Sequence, residues 1–138
     1  MCSLSWQVAI HSPHTFRDVT WPERAGAPIA GSAAAGVKCV KAYVGIGYVF
    51  GWLASWVFGR HFPAVLDVDV PKLFVMGDRD AFTPVRQLRR NVEKARGTAD
   101  MHLFEGVGHF ELEGEQFDAR VVDVIVRWVC EQMPLLAA

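Results

Sequence analysis

The chain has 138 residues, and its composition limits the kinds of protein it can be. Hydrophobic residues make up 51% and charged residues 21%, so we expect one domain with a buried core and exclude a disordered chain. The formal net charge is −1 and no basic stripe is present, which argues against a nucleic-acid partner.

Cysteine usage and the N-terminal residues bear on the compartment. Cys2, Cys39 and Cys130 are far apart and odd in number, and no Cys-x-x-Cys pair occurs. This pattern is typical of free, mostly buried thiols in a reducing compartment. Residues 1–25 carry polar and charged groups throughout and contain no apolar run typical of a secretory signal. We therefore expect a cytoplasmic protein.

The first 25 residues differ in character from the rest of the chain. A short strand is predicted there because apolar residues alternate with other types, at Leu4, Trp6, Val8 and Ile10. Pro13 and its neighbours end this strand, and no clear period follows. We therefore treat 1–25 as an unmatched N-terminal segment and 26–138 as the main domain.

Residues 26–42 are rich in alanine and glycine. Small side chains at this density let a helix pack closely on a sheet, and Pro28 suits a first helical turn. A helix is therefore predicted over 27–40. A flexible linker is the alternative interpretation of the same composition.

Ala42–Phe58 is a stretch of 17 residues without a charged side chain. This length is the lower limit for a membrane span, so a membrane anchor is one interpretation. Three glycines interrupt the stretch, and Tyr48 and Trp52 lie in its middle rather than at its ends. A buried strand over Lys41–Gly47 is therefore favoured, and a membrane contact is not expected. The glycine spacing also differs from the dinucleotide-binding pattern, so we expect no nucleotide cofactor.

Two short apolar runs, Leu73–Met76 and Met101–Phe104, predict buried strands of a parallel sheet. Gly77 is predicted to let the chain turn sharply at the end of the first strand. Asp80 follows the first strand, and His109 follows the second. Because open α/β sheets place their ligand chemistry at the carboxyl ends of strands, we expect these two side chains within hydrogen-bonding reach of each other.

The segments around these strands predict helices. Apolar residues on one face predict a helix over 84–95, which would make the right-handed crossover between two parallel strands. A last helix is predicted over 116–133 and is expected to end at Pro134. Gly59–Pro63 is predicted to form a turn. The expected fold class is α/β.

The residues around the two predicted site positions resemble a known family. Gly77-Asp78-Arg79-Asp80 with Phe82-Thr83-Pro84, and then Gly106-Val107-Gly108-His109, resemble the acid and histidine motifs of the α/β-hydrolase superfamily. The segment Gly108–Gly114 reads Gly-His-Phe-Glu-Leu-Glu-Gly and is similar to a plant-type branch of these hydrolases.

The resemblance implies a partial α/β-hydrolase fold, with parallel strands and helices on both faces. It implies a serine hydrolase that acts on an ester, thioester or amide in a small molecule. Asp80 is then the acid and His109 the base. Asp78 competes for the acid position, but the family places its acid three residues after the glycine, which selects Asp80.

The nucleophile expected from this resemblance is missing from the sequence. The family's serine lies in Gly-x-Ser-x-Gly on a strand-to-helix turn, and no serine here has that context. If Gly26 is the last glycine of the elbow, Arg24 occupies the serine position. Ser32 lies between small residues and is the weak substitute, although it falls within the predicted helix. We therefore expect a truncated chain that is catalytically incomplete.

Other functions and ligands remain open at this point. A non-enzymatic interaction module is one alternative, because a truncated sheet would have an open edge through which chains self-associate. His102 and His109 are separated by a strand end and a turn, so no metal site is expected. Glu111 and Glu113 are predicted to cap a following helix rather than to orient substrate.

Overall fold

The computed structural model of the chain describes residues 7–11, 40–50, 61–112 and 114–136. Within these residues there are four strands and four helices. The strands are β1 (Gln7–His11), β2 (Val40–Ile46), β3 (Lys72–Gly77) and β4 (Ala99–Phe104). The helices are α1 (His61–Asp67), α2 (Val85–Lys94), α3 (His109–Leu112) and α4 (Glu115–Leu136).

The four strands form one sheet in the order β1-β2-β3-β4, and every neighbouring pair is parallel. Val44 pairs with Leu73 across β2 and β3, and Val75 pairs with His102 across β3 and β4. The carboxyl ends of the strands therefore share one edge of the sheet. The predicted α/β class with parallel strands is confirmed.

Helices cover both faces of this sheet, and β3 is therefore buried on both sides. On one face, Leu73 and Val75 pack with the apolar side of α4. On the other face, Phe74 and Met76 pack with α1 and α2 through Val65 and Leu88. Every residue of β3 is buried, as expected for a central strand of a doubly covered parallel sheet.

The N-terminal segment contributes a strand to the same sheet. β1 pairs in parallel with β2, from Gln7 opposite Val40 to His11 opposite Gly45. The sheet thus has one strand more than the three assigned to the main domain, and β2 is an internal strand. The proposed boundary at residues 25 and 26 lies outside the described residues and remains a prediction.

Several element boundaries differ from the predicted ones. The predicted turn over Gly59–Pro63 is wrong at its second half, because α1 begins at His61 and carries Pro63 in its first turn, where the missing N–H is tolerated. The last helix does not end at Pro134 but continues to Leu136. Proline keeps a helical φ and removes one N–H donor, so a helix can pass through it near its end. The helix predicted over 27–40 lies outside the described residues, except that Val40 belongs to β2.

The stretch predicted as a possible membrane anchor begins inside the sheet. Ala42–Ile46 belongs to β2, and residues 51–58 lie outside the described residues. In the part of the chain that the structure describes, no helix has the length and apolar character needed to cross a bilayer.

Lys72, the first residue of β3, is buried. Its Nζ donates hydrogen bonds to the carbonyl oxygens of Val70 at 2.9 Å and Arg96 at 2.5 Å. Burial lowers the pKa of Lys72 below its ordinary value of 10.5, and the nearby Asp69 and Asp67 carboxylates oppose this in part.

This lowered pKa predicts how stability changes with pH. Between the folded pKa of Lys72 and 10.5, the unfolded chain binds more protons than the folded chain, so the free energy of unfolding rises with pH in that window. The rise is expected to be smaller in Lys72→Met, measured by urea unfolding at pH values from neutral to 10.5. Lys94→Met, on the exposed side of α2, is the matched control and should follow the wild type. Parallel curves for wild type and Lys72→Met would contradict the prediction.

Candidate active site

Asp80 lies in the turn that follows β3, at the carboxyl edge of the sheet. Its side chain is buried, and its Oδ1 accepts hydrogen bonds from the backbone N–H groups of Phe82 at 2.7 Å and Thr83 at 3.0 Å. Two backbone donors on one oxygen fix the orientation of the carboxylate. The second oxygen, Oδ2, is thereby directed toward the loop that follows β4.

His109 is the first residue of α3 and reaches the edge of the sheet through that loop. Gly106 has φ +74°, a left-handed conformation that favours glycine and reverses the chain after β4. The Nδ1 atom of His109 lies 2.6 Å from Oδ2 of Asp80. Asp80 is 6% exposed and His109 is 4% exposed, so the pair is shielded from water. The structure therefore brings together the two residues predicted from the sequence.

Gly77 has a different role from the predicted one. No positive φ is recorded at Gly77; instead, the loop before His109 passes directly over it. A Cβ atom at position 77 would lie 2.0 Å from the carbonyl oxygen of Val107. Gly77 is needed because the backbone of the histidine loop approaches β3 too closely for any side chain.

The other carboxylates near the pair serve the local backbone. Asp78, the competing acid, is exposed, and its Oδ1 accepts a hydrogen bond from the backbone N–H of Gly106 at 2.7 Å. Glu111 accepts a hydrogen bond from the N–H of Gly108 at 2.7 Å, which is the return bond of a capping box at the start of α3. Glu111 thus caps its own helix, and Glu113 lies outside the described residues.

Two aromatic side chains stand beside the imidazole, and the sequence analysis did not single them out as site residues. The ring centroid of Phe82 lies 4.9 Å from that of His109 in an edge-to-face arrangement. The Phe110 ring lies 5.6 Å from the imidazole and 5.8 Å from Phe82. Phe110 is 55% exposed, so the buried pair has an aromatic border open to solvent. The sequence could have identified Phe82 and Phe110, because Phe82 lies in the acid motif and Phe110 directly follows the histidine motif.

The remaining candidates do not join this site. Ser32 and Arg24 lie outside the described residues, so the structure gives no position for a nucleophile. Among the described residues no group of three or more His, Cys, Asp or Glu side chains could hold a metal ion. The ring of His102 packs against Phe104 at 4.9 Å on β4.

A cavity of about 700 Å³ lies between β4 and α4. Its polar lining includes Asp100, His102, Arg120 and Gln132, but neither Asp80 nor His109 contributes to it. The Trp128 indole N–H donates a hydrogen bond to Asp100 at 2.7 Å in its wall. We locate the candidate site at the acid–histidine pair, because a carboxylate and an imidazole are hydrogen-bonded there and neither of them lines this cavity.

The chain is similar to several solved α/β serine hydrolases. It is 23% identical to an alpha-beta serine hydrolase homologue from Coxiella burnetii, with a TM-score of 0.54 over 70% of this chain and 42% of that one. The described part of the chain has the α/β-hydrolase fold. Esterase 2 of Thermogutta terrifontis, phosphonylated by cyclosarin, matches with a TM-score of 0.58 at 15% identity, over 77% of this chain and 51% of that one. DcsB, solved with a substrate analogue, matches with a TM-score of 0.58 at 14% identity, over 76% of this chain and 61% of that one.

These three solved proteins are longer than this chain, which spans 42% to 61% of their lengths. No protein-family model and no curated protein matches the sequence. At the identities found, the likeness establishes the fold and leaves activity to be argued from the site.

Proposed function

We propose that Asp80 and His109 are the acid and base of a serine-hydrolase proton relay. The observation that carries this proposal is the 2.6 Å contact between Nδ1 of His109 and Oδ2 of Asp80 within a buried pair. A carboxylate in this position keeps the proton on Nδ1 and leaves Nε2 able to take a proton from a hydroxyl nucleophile. It also stabilises the imidazolium that results. The substrate class is an ester, thioester or amide of a small molecule.

We also propose that this chain does not catalyse the hydrolysis. It contains five serines and none in a Gly-x-Ser-x-Gly context, and Arg24 would occupy the nucleophile position if Gly26 is the last glycine of the elbow. An acid–histidine pair without a nucleophile has no hydroxyl to activate. Ser32 remains the weak candidate for that role.

Finer points of the proposal rest on sequence. Placement in a plant-type branch of the hydrolases rests on Gly108–Gly114. A cytoplasmic location rests on the odd number and wide spacing of the cysteines. Cys130 is a free thiol, but it is exposed, whereas the sequence predicted mostly buried thiols.

A non-enzymatic interaction module is the second candidate function. Among the described strands, β1 pairs with β2 alone, so its outer edge presents backbone donors and acceptors that a further strand could bind. Self-association through that edge is the specific form of this alternative. The interaction module is less well supported than the relay, because no described side chain identifies a partner.

The relay is tested by the proton that the pair shares. In ¹H NMR spectra of imidazole-¹⁵N-labelled chain, we expect the His109 Nδ1 proton far downfield of the amides, because a short charge-assisted hydrogen bond deshields it. Asp80→Asn replaces the acceptor oxygen and forces the other tautomer, so this resonance is lost. Asp78→Asn, an exposed neighbour, retains it and is the matched control.

Two results would contradict the proposed relay. One is the absence of a downfield Nδ1 resonance from a wild-type sample that is folded. The other is its persistence in Asp80→Asn.

A further inference from the structure

The loop that follows β2 lies directly against the base. Gly47 has φ +58°, and a Cβ atom there would lie 3.3 Å from Cε1 and 3.7 Å from Nδ1 of His109. Its backbone N–H donates to the carbonyl of Val75 at 2.9 Å, which fixes the loop to the end of β3. The position of residues 47–50 therefore limits where the imidazole ring can lie.

Thr83 ties this loop to the turn that holds the acid. The Thr83 hydroxyl donates to the carbonyl oxygen of Tyr48 at 3.0 Å and accepts from the N–H of Phe50 at 2.6 Å. The backbone N–H of the same residue donates to Oδ1 of Asp80 at 3.0 Å. One residue thus contacts both the carboxylate and the loop that borders the histidine.

The environment of Thr83 makes these bonds hard to replace. The residue is fully buried, so water is not at hand to substitute for the hydroxyl. Both its donor and an acceptor site are in use, which no apolar side chain of the same shape can reproduce. The β-branched side chain has few χ1 rotamers, which keeps the hydroxyl in position.

We propose that Thr83 is the positioning residue of the relay, which sets the loop at residues 47–50 against His109 while it holds Asp80. This inference rests on the proposed function. Thr83 touches neither a substrate nor the reacting atoms and acts through the acid and the base. Helix α2 begins at Val85 without a side-chain cap, and the Thr83 side chain instead bonds to residues more than 30 positions earlier.

The expected effect is a change in the shared proton and not only in stability. In Thr83→Val, which keeps the shape and loses the hydroxyl, we expect exchange of the His109 Nδ1 proton with water to accelerate by about tenfold, on the scale of one lost buried hydrogen bond. Thr83→Ser keeps the hydroxyl and should retain slow exchange. The measurement is the line width and saturation transfer of the downfield resonance.

Gln87 provides the control for a general effect of the loop. Its Nε2 donates to the carbonyl of Phe50, so Gln87→Met removes a loop contact without touching Asp80. In Gln87→Met, we expect the His109 Nδ1 proton to exchange with water at the same rate as in the wild type. Equal acceleration in Gln87→Met and Thr83→Val would overturn the specific role of Thr83.

The remaining outcomes also test the role of Thr83. Unchanged exchange in a folded Thr83→Val overturns the inference while the relay stands. If Thr83→Val does not fold, Thr83→Ser and Gln87→Met decide, and loss of the resonance in either one overturns it. Absence of the resonance from the wild type is a failure of the proposed function and is separate from these results.

Discussion

A fluorophosphonate probe is expected to leave this chain unlabelled, at the level of a His109→Ala variant. The probe reports an activated serine, and this sequence has no serine in the Gly-x-Ser-x-Gly context that such activation requires. Loss of members of a serine–histidine–acid triad lowers the rate by about 10⁴ to 10⁶. In the proposed relay the Asp80–His109 pair holds and moves a proton, and a pair that has no nucleophile beside it forms no acyl-enzyme.

The labelling experiment needs a sample that is shown to be folded. Circular dichroism and thermal unfolding of the same preparation provide that check, and an intact α/β serine hydrolase provides the positive control. Hydrolysis of p-nitrophenyl esters should likewise equal that of His109→Ala. A longer chain with Gly-x-Ser-x-Gly upstream of Gly26 is expected to be labelled.

The site of any label would identify the error. Labelling at Ser32 would overturn the alignment that puts Arg24 at the nucleophile position and would make this chain a complete enzyme. Labelling at Ser12 would do the same by another route, because Ser12 follows the last residue of β1 in the sequence. Either label must disappear in His109→Ala if the relay activates that serine.

The acid and the histidine could be predicted because their signals are local. Each follows a short apolar strand, and the parallel arrangement brings the two strand ends together at one edge of the sheet. The pairing of β1 with β2 could not be predicted, since short alternation indicates a strand but not its partner.

Other features depend on contacts between distant parts of the chain. The sequence indicates that Gly77 ends a strand, but the reason for glycine is the carbonyl of Val107, thirty residues later. The partners of the Thr83 hydroxyl, at residues 48 and 50, become visible only in the fold. Tertiary hydrogen bonds of this kind override local preferences and have no periodic signal.

Phe74→Ala is expected to lower the free energy of unfolding by about 3–5 kcal/mol, the range for truncation of a buried phenylalanine. Phe74 is fully buried on β3, and its ring centroid lies 6.2 Å from Tyr43, 5.5 Å from Tyr48 and 5.3 Å from Phe50. The cavity left by its removal would border three rigid aromatic rings, which cannot close it without moving the backbone.

The same substitution links the core to the site, because two of these rings belong to the loop that borders His109. Urea unfolding measures the loss of stability, and Phe110→Ala is the matched control. Phe110 is 55% exposed, so its truncation should change stability by less than about 1 kcal/mol. Equal losses in the two variants would contradict the burial that places Phe74 at the centre of this face.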